Sequence, residues 1–265
     1  LCNTLLQYSP FHAKHEMDNR EDDASEASDI GTAIHDCLLE GRDRIVPIEA
    51  DDWRRKDIRA IRDAERAQGR IPILARKVAL IEAAIKVAQA FVATSEIKGV
   101  FDDGKPEQTL IWNEEQITCK ARPDWLTADH SIMLHVKTTA GSAGPFSSFP
   151  RLIDNMGYDI ALMFYARGLS GFHPDYCRHV ILAIEQNAPH GCALYDLDPA
   201  KADIASRKVD RAIRTWQQCD ASGKWPCYDS RIHSIEPKPW QIAEHEERDL
   251  ADAYDQLQEK EGLQI

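Results

Sequence analysis

The chain has 265 residues, 43% of them apolar and 29% charged, which is ordinary for a globular α/β domain with length enough to bury a full core. No run approaches the roughly 18 apolar residues of a membrane span, so a membrane role is set aside. A formal charge of −12 excludes a uniformly basic nucleic-acid binder, since such binding is driven by phosphate neutralisation, and leaves only local basic clusters for that purpose.

In chain order, residues 3–15 read as a short helix broken at Ser9-Pro10. Leu1 to Pro10 lacks the basic start and cleavage site of a secretory signal, and the start without Met points to a trimmed or partial chain, so a cytoplasmic location is expected. The acidic stretch 18–29 reads as a polar connection. Ile30, Ile34, Cys37 and Leu38 then recur at helical spacing behind Ser28 or Asp29 as N-cap, predicting a helix over 30–40 that stops at Gly41, with His35 at the edge of its apolar stripe. Residues 51–68 and 72–94 predict two more helices. Between 51 and 77 lie Arg54, Arg55, Lys56, Arg59, Arg62, Arg66, Arg70, Arg76 and Lys77; a basic lining and a solvated helix face with interspersed acids fit this stretch equally well.

After Gly99 the texture turns β-rich. Residues 107–112, 116–121 and 131–138 predict a meander feeding a central strand, followed by a helix at 151–168, strands at 179–185 and 193–197, and helices at 199–219 and 240–260. There are no repeats. The order implies one α/β domain over 1–265 with a mixed central sheet flanked by helices: a mainly helical portion at 1–98, the core at 99–200 and a C-terminal helical portion at 201–265. The seven cysteines form no C-x-x-C pair, which excludes a disulfide framework and a zinc ribbon.

Chemistry-bearing residues gather around Arg122-Pro-Asp124 and His135-Val-Lys137. Residues i and i+2 of a strand share a face, so His135 and Lys137 project together while Leu134 and Val136 point the other way. If the two strands pair, Asp124 joins them in a compact acid, ligand and amine cluster. Such a cluster suits phosphodiester hydrolysis, in which a hard cation on carboxylate oxygens polarises the phosphate and acidifies a water that the lysine orients. From composition and spacing alone, a solvated hairpin end is the better reading of the trio.

Gly31-Thr-Ala-Ile-His35, Cys119-Lys-Ala-Arg-Pro-Asp124, Val136-Lys-Thr-Thr139, Gly157-Tyr158 and Phe164-Tyr165 occur in the order of the motifs of RecE-type (exonuclease VIII) proteins of the PD-(D/E)XK superfamily. Ser9-Pro10 and Gly223-Lys-Trp-Pro226 also resemble that family, so the likeness spans nearly the whole chain. The resemblance implies a restriction-endonuclease-like core acting as a metal-dependent exodeoxyribonuclease on linear double-stranded DNA. In it His35, Asp124 and His135 are metal-site residues for Mg²⁺ or Mn²⁺, Lys137 is the catalytic lysine, and Glu107 adds a carboxylate. Tyr165, with Arg122 and Thr138, is assigned to DNA contact, although the glutamine usual four residues before the tyrosine is Ala161 here. Packed-core readings of His35 and Tyr165 stand beside these roles. The resemblance further implies 5′-to-3′ resection for phage-type recombination, a single-strand annealing partner and a ring-like homo-oligomer. Related nucleases carry an iron–sulfur cluster on four cysteines, but the gap from Cys219 to Cys227 lacks the close spacing this needs.

The family places Asp or Glu two residues before the lysine, and this chain has His135 there. Imidazole removes a negative charge and offers nitrogen where Mg²⁺ prefers oxygen, whereas Mn²⁺ or Zn²⁺ accepts it. A natural Mn²⁺-using variant, an impaired nuclease that only binds DNA, and an engineered substitution are the three explanations.

Overall fold

The computed structural model describes residues 1–19, 26–41, 44–171 and 177–262. Helices α1 (Cys2–Gln7) and α2 (Pro10–Asp18) flank the Ser9-Pro10 break, where the Ser9 side chain accepts from the His12 N–H and Pro10 takes a first-turn position that needs no donor. Residues 20–25 of the acidic connection lie outside the described residues. Helix α3 (Glu26–His35) starts before the predicted residue 30, so Ser28 and Asp29 are not its cap; Asp29 instead pairs with Arg66 at 2.6 Å. The helix continues as a π-helical turn, Asp36–Glu40, and ends on Gly41 at φ 62°.

Strand β1 (Ile45–Ile48) precedes α4 (Lys56–Ala67), which is shorter than the predicted 51–68. The helix expected over 72–94 proves to be two elements, β2 (Ile71–Leu74) and α5 (Ala75–Thr94). All four β2 residues are buried and pair in parallel with β1, Ile45 opposite Ile71. A parallel partner more than twenty residues away leaves no local trace, so the apolar run was absorbed into the helix that follows it.

Next come β3 (Gly104–Pro106), β4 (Leu110–Glu114), β5 (Ile117–Ala121), β6 (Trp125–Thr127) and β7 (Ile132–Thr139). Helices α6 (Phe149–Asn155) and α7 (Tyr158–Ser170) replace the single helix predicted at 151–168, split where Gly157 adopts φ 66°. Strands β8 (Arg178–Glu185) and β9 (Cys192–Tyr195) and helix α8 (Pro199–Ser222) follow. The predicted meander is only partly realised: β4 and β5 form a separate two-stranded sheet, and the central sheet has the order β3-β6-β7-β8-β9. It is mixed, with β7 and β8 parallel from Ile132 opposite Arg178 to Thr139 opposite Glu185 and the other pairs antiparallel.

Alternation along β7 and β8 divides the core. Leu134, Val136, Val180, Leu182 and Ile184 pack against α3 and α5, and Trp125 donates its indole N–H to the Val100 carbonyl at 2.9 Å beneath them. Met133, Ile181 and Ala183 face α6 and α7, over which α8 packs through Val209 and Ile213. The result is an α/β fold with a mixed sheet covered by helices on both faces.

The chain divides into two compact units, Leu1–Cys227 and Tyr228–Ile265. The second carries α9 (Pro239–Gly262), on which Trp240, Leu250, Tyr254 and Leu257 are solvent-exposed. No helix among the described residues is long and apolar enough to cross a membrane.

Candidate functional site

Asp124 lies immediately before β6, next to Trp125, which pairs with Leu134 of β7. That pairing lets Asp124 Oδ2 accept from the Val136 backbone N–H at 2.7 Å and sit 3.4 Å from Lys137 Nζ. Lys137 projects from the face of β7 opposite Leu134 and Val136, and its Nζ lies 5.6 Å from the centre of the Tyr158 ring at the start of α7. Asp124 and Lys137 thus meet because the short β6 pairs in register with β7.

His35 arrives from the other side of the sequence. Gly31 lets α3 approach β7 closely, since a Cβ there would come within 2.9 Å of Thr138 Oγ1. One turn later His35 Nε2 stands 3.6 Å from Asp124 Oδ1 and 3.5 Å from Glu107 Oε1. Glu107 follows β3 in a left-handed conformation, φ 53°, with its N–H donating to the Asp124 carbonyl at 3.1 Å. A non-glycine residue held there costs free energy that local propensity does not return, a pattern found at functional sites. Arg122 Nε reaches Glu107 Oε2 at 2.5 Å.

One nitrogen of His35 and one oxygen each of Glu107 and Asp124 lie within 4.8 Å of one another, and His35, Asp36 and Glu40 form a second such group. Two carboxylates and an imidazole suit a divalent cation that keeps water in its remaining positions. In the second group Asp36 is buried and already bound by Arg44, whose Nε and Nη2 both lie 2.5 Å from Oδ2. Arg122 likewise binds Glu107 of the first group, but through Oε2 only, leaving Oε1 and Asp124 Oδ1 turned to the same His35 nitrogen at 3.5 and 3.6 Å, an arrangement that fits a cation better than the buried Asp36.

Burial raises the Asp124 carboxyl, but contact with His35 and the charges of Lys137 and the two histidines outweigh it and hold Asp124 far below the usual carboxylate range. Burial lowers His35, yet the Asp124 and Glu107 carboxylates overcome it and raise the imidazole. Glu107 is raised, chiefly by burial, against the pull of Arg122 and His35.

His135 is placed differently. It is 3% exposed, its ring lies 5.2 Å from Tyr165 and 6.1 Å from His179, nearly parallel to the latter, and its Nε2 has no partner. Burial pushes it down to about 3, against the pull of Asp124. It belongs to neither candidate metal group. Tyr165 packs with Leu110, Ala121, Leu126 and Met133 and is absent from the cleft wall. Thr138 does line the cleft, with its Oγ1 accepting from Gln186 Nε2 at 2.9 Å.

The cleft has a volume of about 1010 Å³, and His35, Glu107, Arg122 and Lys137 are among its walls. None of the cations between Arg54 and Lys77 lines it; Arg54, Arg55, Arg62, Arg66 and Arg70 pair with Asp52, Asp57, Asp63, Asp29 and Glu65. The cations of that stretch that pair with these acids do so away from the cleft. Sequence reasoning missed His179, whose strand was recognised but not its stacking, and Tyr158, which was noted as a motif without its place over Lys137. It also missed the Asp36–Glu40 pair, whose i, i+4 spacing is legible as one helix face.

The profile of a family described as "PDDEXK-like domain of unknown function (DUF3799)" matches residues 4–236. No curated protein matches the chain. Among solved structures, a protein of Eubacterium rectale described as a "putative exonuclease" aligns with a TM-score of 0.59 at 12% identity, covering 88% of this chain and 85% of that one. A phage related exonuclease from Haemophilus somnus 129PT aligns at 13% identity over 84% of this chain and 95% of its own, with a TM-score of 0.37 that is too low to carry an argument.

Proposed function

We propose, on the premise that the chain belongs to this PDDEXK-like family and so to the PD-(D/E)XK superfamily, that it is a divalent-metal-dependent exodeoxyribonuclease of RecE type. Its substrate is linear double-stranded DNA. The observation that carries the reading is the meeting of His35, Glu107, Asp124 and Lys137 in and beside one cleft.

A divalent cation held by His35, Glu107 and Asp124 would supply positive charge to a phosphate oxygen and make a water acidic enough to attack. Asp124 is fit to hold it because its carboxylate stays ionised at any physiological pH. Lys137, fixed by Asp124 at 3.4 Å, offers hydrogens to orient the attacking water and offset charge that builds on the phosphate. Arg122 holds Glu107 turned toward His35, and the positive φ of Glu107 keeps that carboxylate in the corner. With Glu107 in this position, the carboxylate that His135 does not provide comes from a loop instead of from β7. Mn²⁺ is the preferred ion on this reading, since one of the three ligands is an imidazole.

The resection polarity is 5′ to 3′, the product strand goes to a single-strand annealing protein, and the working form is a homo-oligomer; these parts rest on the motif resemblance alone. The rival reading, a nuclease fold that binds DNA without cutting it, draws on His135 in the usual carboxylate position. Incubating end-labelled linear duplex beside covalently closed circular DNA, in Mg²⁺ and separately in Mn²⁺, separates the two. Loss of only the linear substrate is expected, faster in Mn²⁺. Binding without cleavage in either metal would establish the rival.

A further inference from the structure

Beyond Lys137, the loop 140–148 leaves β7 and lifts Phe146 fully into solvent, at 102% relative exposure. The loop around it is tied down. Ala143 and Phe149, on either side, are buried; the Ala143 N–H donates to Glu185 Oε1 at 2.8 Å, and the Tyr195 hydroxyl donates to the Ala143 carbonyl. Phe149 stacks on Tyr195 at 5.3 Å, and Ser147 Oγ lies within hydrogen-bond distance of the Ser142 and Gly144 carbonyls. A large apolar side chain held out by an anchored loop contributes nothing to the core.

Its position and its electrostatics point to an occupant. Thr138, Thr139 and Ala140 before the loop line the cleft, and so do Leu152, Met156 and Tyr158 after it. Phe146 therefore stands on a segment that enters and leaves through the cleft wall, and Met156 on the same segment is 53% exposed. Acidic residues make up 44 of the 265, yet residues 138–153 contain none and carry Arg151. An acid-free loop with an apolar tip, rooted at both ends in the wall of a cleft that holds cation ligands, suits a nucleic acid whose phosphate goes to the cleft and whose bases meet the loop.

We propose that Phe146 stacks on a base at the end of the DNA duplex and so holds the terminal nucleotide while its phosphate meets the cation held by His35, Glu107 and Asp124. This inference rests on the deoxyribonuclease reading. Stacking on a π-face tolerates any base, as an enzyme that digests along a strand requires.

The test uses the full chain, its Phe146→Ala and Phe146→Trp variants, and Asp124→Asn as the cleavage control. Duplexes carry 2-aminopurine at the terminal or at an internal position, and binding is read with chelator present. The terminal probe should change fluorescence with the wild type and the internal one should not. Phe146→Ala should abolish the terminal signal, weaken duplex binding on the order of tenfold and raise KM more than it lowers kcat; Phe146→Trp should restore both. Wild-type signal, affinity and KM in Phe146→Ala would overturn the proposal while Asp124-dependent cleavage leaves the nuclease reading standing. A change of oligomer mass in Phe146→Ala by light scattering would also overturn it, by making Phe146 a contact between copies. Absence of both binding and Asp124-dependent cleavage in the wild type would remove the proposal and the reading together.

Discussion

His35 and His135 both feel the charge of Asp124, and the protein treats them in opposite ways. His35 sits in the corner of α3 with two carboxylates 3.5 and 3.6 Å away and its side chain 20% exposed, and its imidazole is raised. His135 lies on β7 with two aromatic rings for neighbours and an unpartnered Nε2, and its imidazole is pushed down to about 3. Desolvation opposes the charged form at both sites; only at His35 do nearby carboxylates outweigh it. The cleft histidine is equipped to share charge with the acids, whereas the strand histidine is a neutral ring packed under the site.

Removing the acid on which this contrast depends should have the largest effect. Asp124→Asn is expected to lower linear-duplex cleavage on the order of 10³-fold and to abolish Mn²⁺ uptake measured by calorimetry. Unchanged Mn²⁺ binding would move the metal site away from the His35 corner. Converting the other side of the contrast comes next. His135→Asp should raise the Mg²⁺-supported rate about tenfold and, without metal, cost about 3 kcal/mol of stability because a carboxylate is buried without a partner. Equal Mg²⁺ rates in the two proteins would show that residue 135 has no influence on the metal.

The buried pair also predicts a pH signature. His179 is pushed down to about 4 and His135 to about 3, both by burial, from an ordinary value of 6.5. Above pH 6.5 neither folded nor unfolded histidine is protonated; as the pH falls from 6.5 toward 4 the unfolded chain takes up protons that the folded sites refuse. Stability is therefore fully present above 6.5 and lost on acidification, by roughly 1.4 kcal/mol per pH unit for each site. Denaturant titrations of wild type and His179→Phe between pH 7 and 4.5 should differ by one site's share of that slope; parallel slopes would contradict a neutral buried His179. The smallest effect concerns the second acidic group beside His35. Arg44→Ala leaves buried Asp36 with only the more distant His35 Nδ1, 3.9 Å away, and should cost about 2 kcal/mol, less than a fully buried pair because Arg44 is partly exposed. A thermal melt equal to wild type would mean that Asp36 finds another partner.

Much of this molecule could be read before it was seen. Apolar periodicity and breaker residues located most of the helices, and alternation along residues 131–138 separated Leu134 and Val136 from His135 and Lys137. Those signals are local: a helix or strand is declared by side chains within a turn or two of each other. The β1–β2 pairing, the splitting of α6 from α7 at Gly157 and the isolation of β4–β5 from the central sheet were not legible, because each depends on partners or backbone angles that the local pattern does not encode.

The same division runs through the candidate site. The sequence by itself determined the shared face of residues 135 and 137 and put Asp124 within reach of them if the strands pair, while His35 and Glu107 entered only through the family resemblance. Only the tertiary structure decided which of them meet. Glu107 enters the corner through a left-handed residue bonded to the Asp124 carbonyl, Asp36 is taken by Arg44, and His135 is enclosed by Tyr165 and His179 from other elements. Ligand geometry is set by contacts between residues distant in sequence, and burial is a property of the assembled core, so neither is written in any single segment.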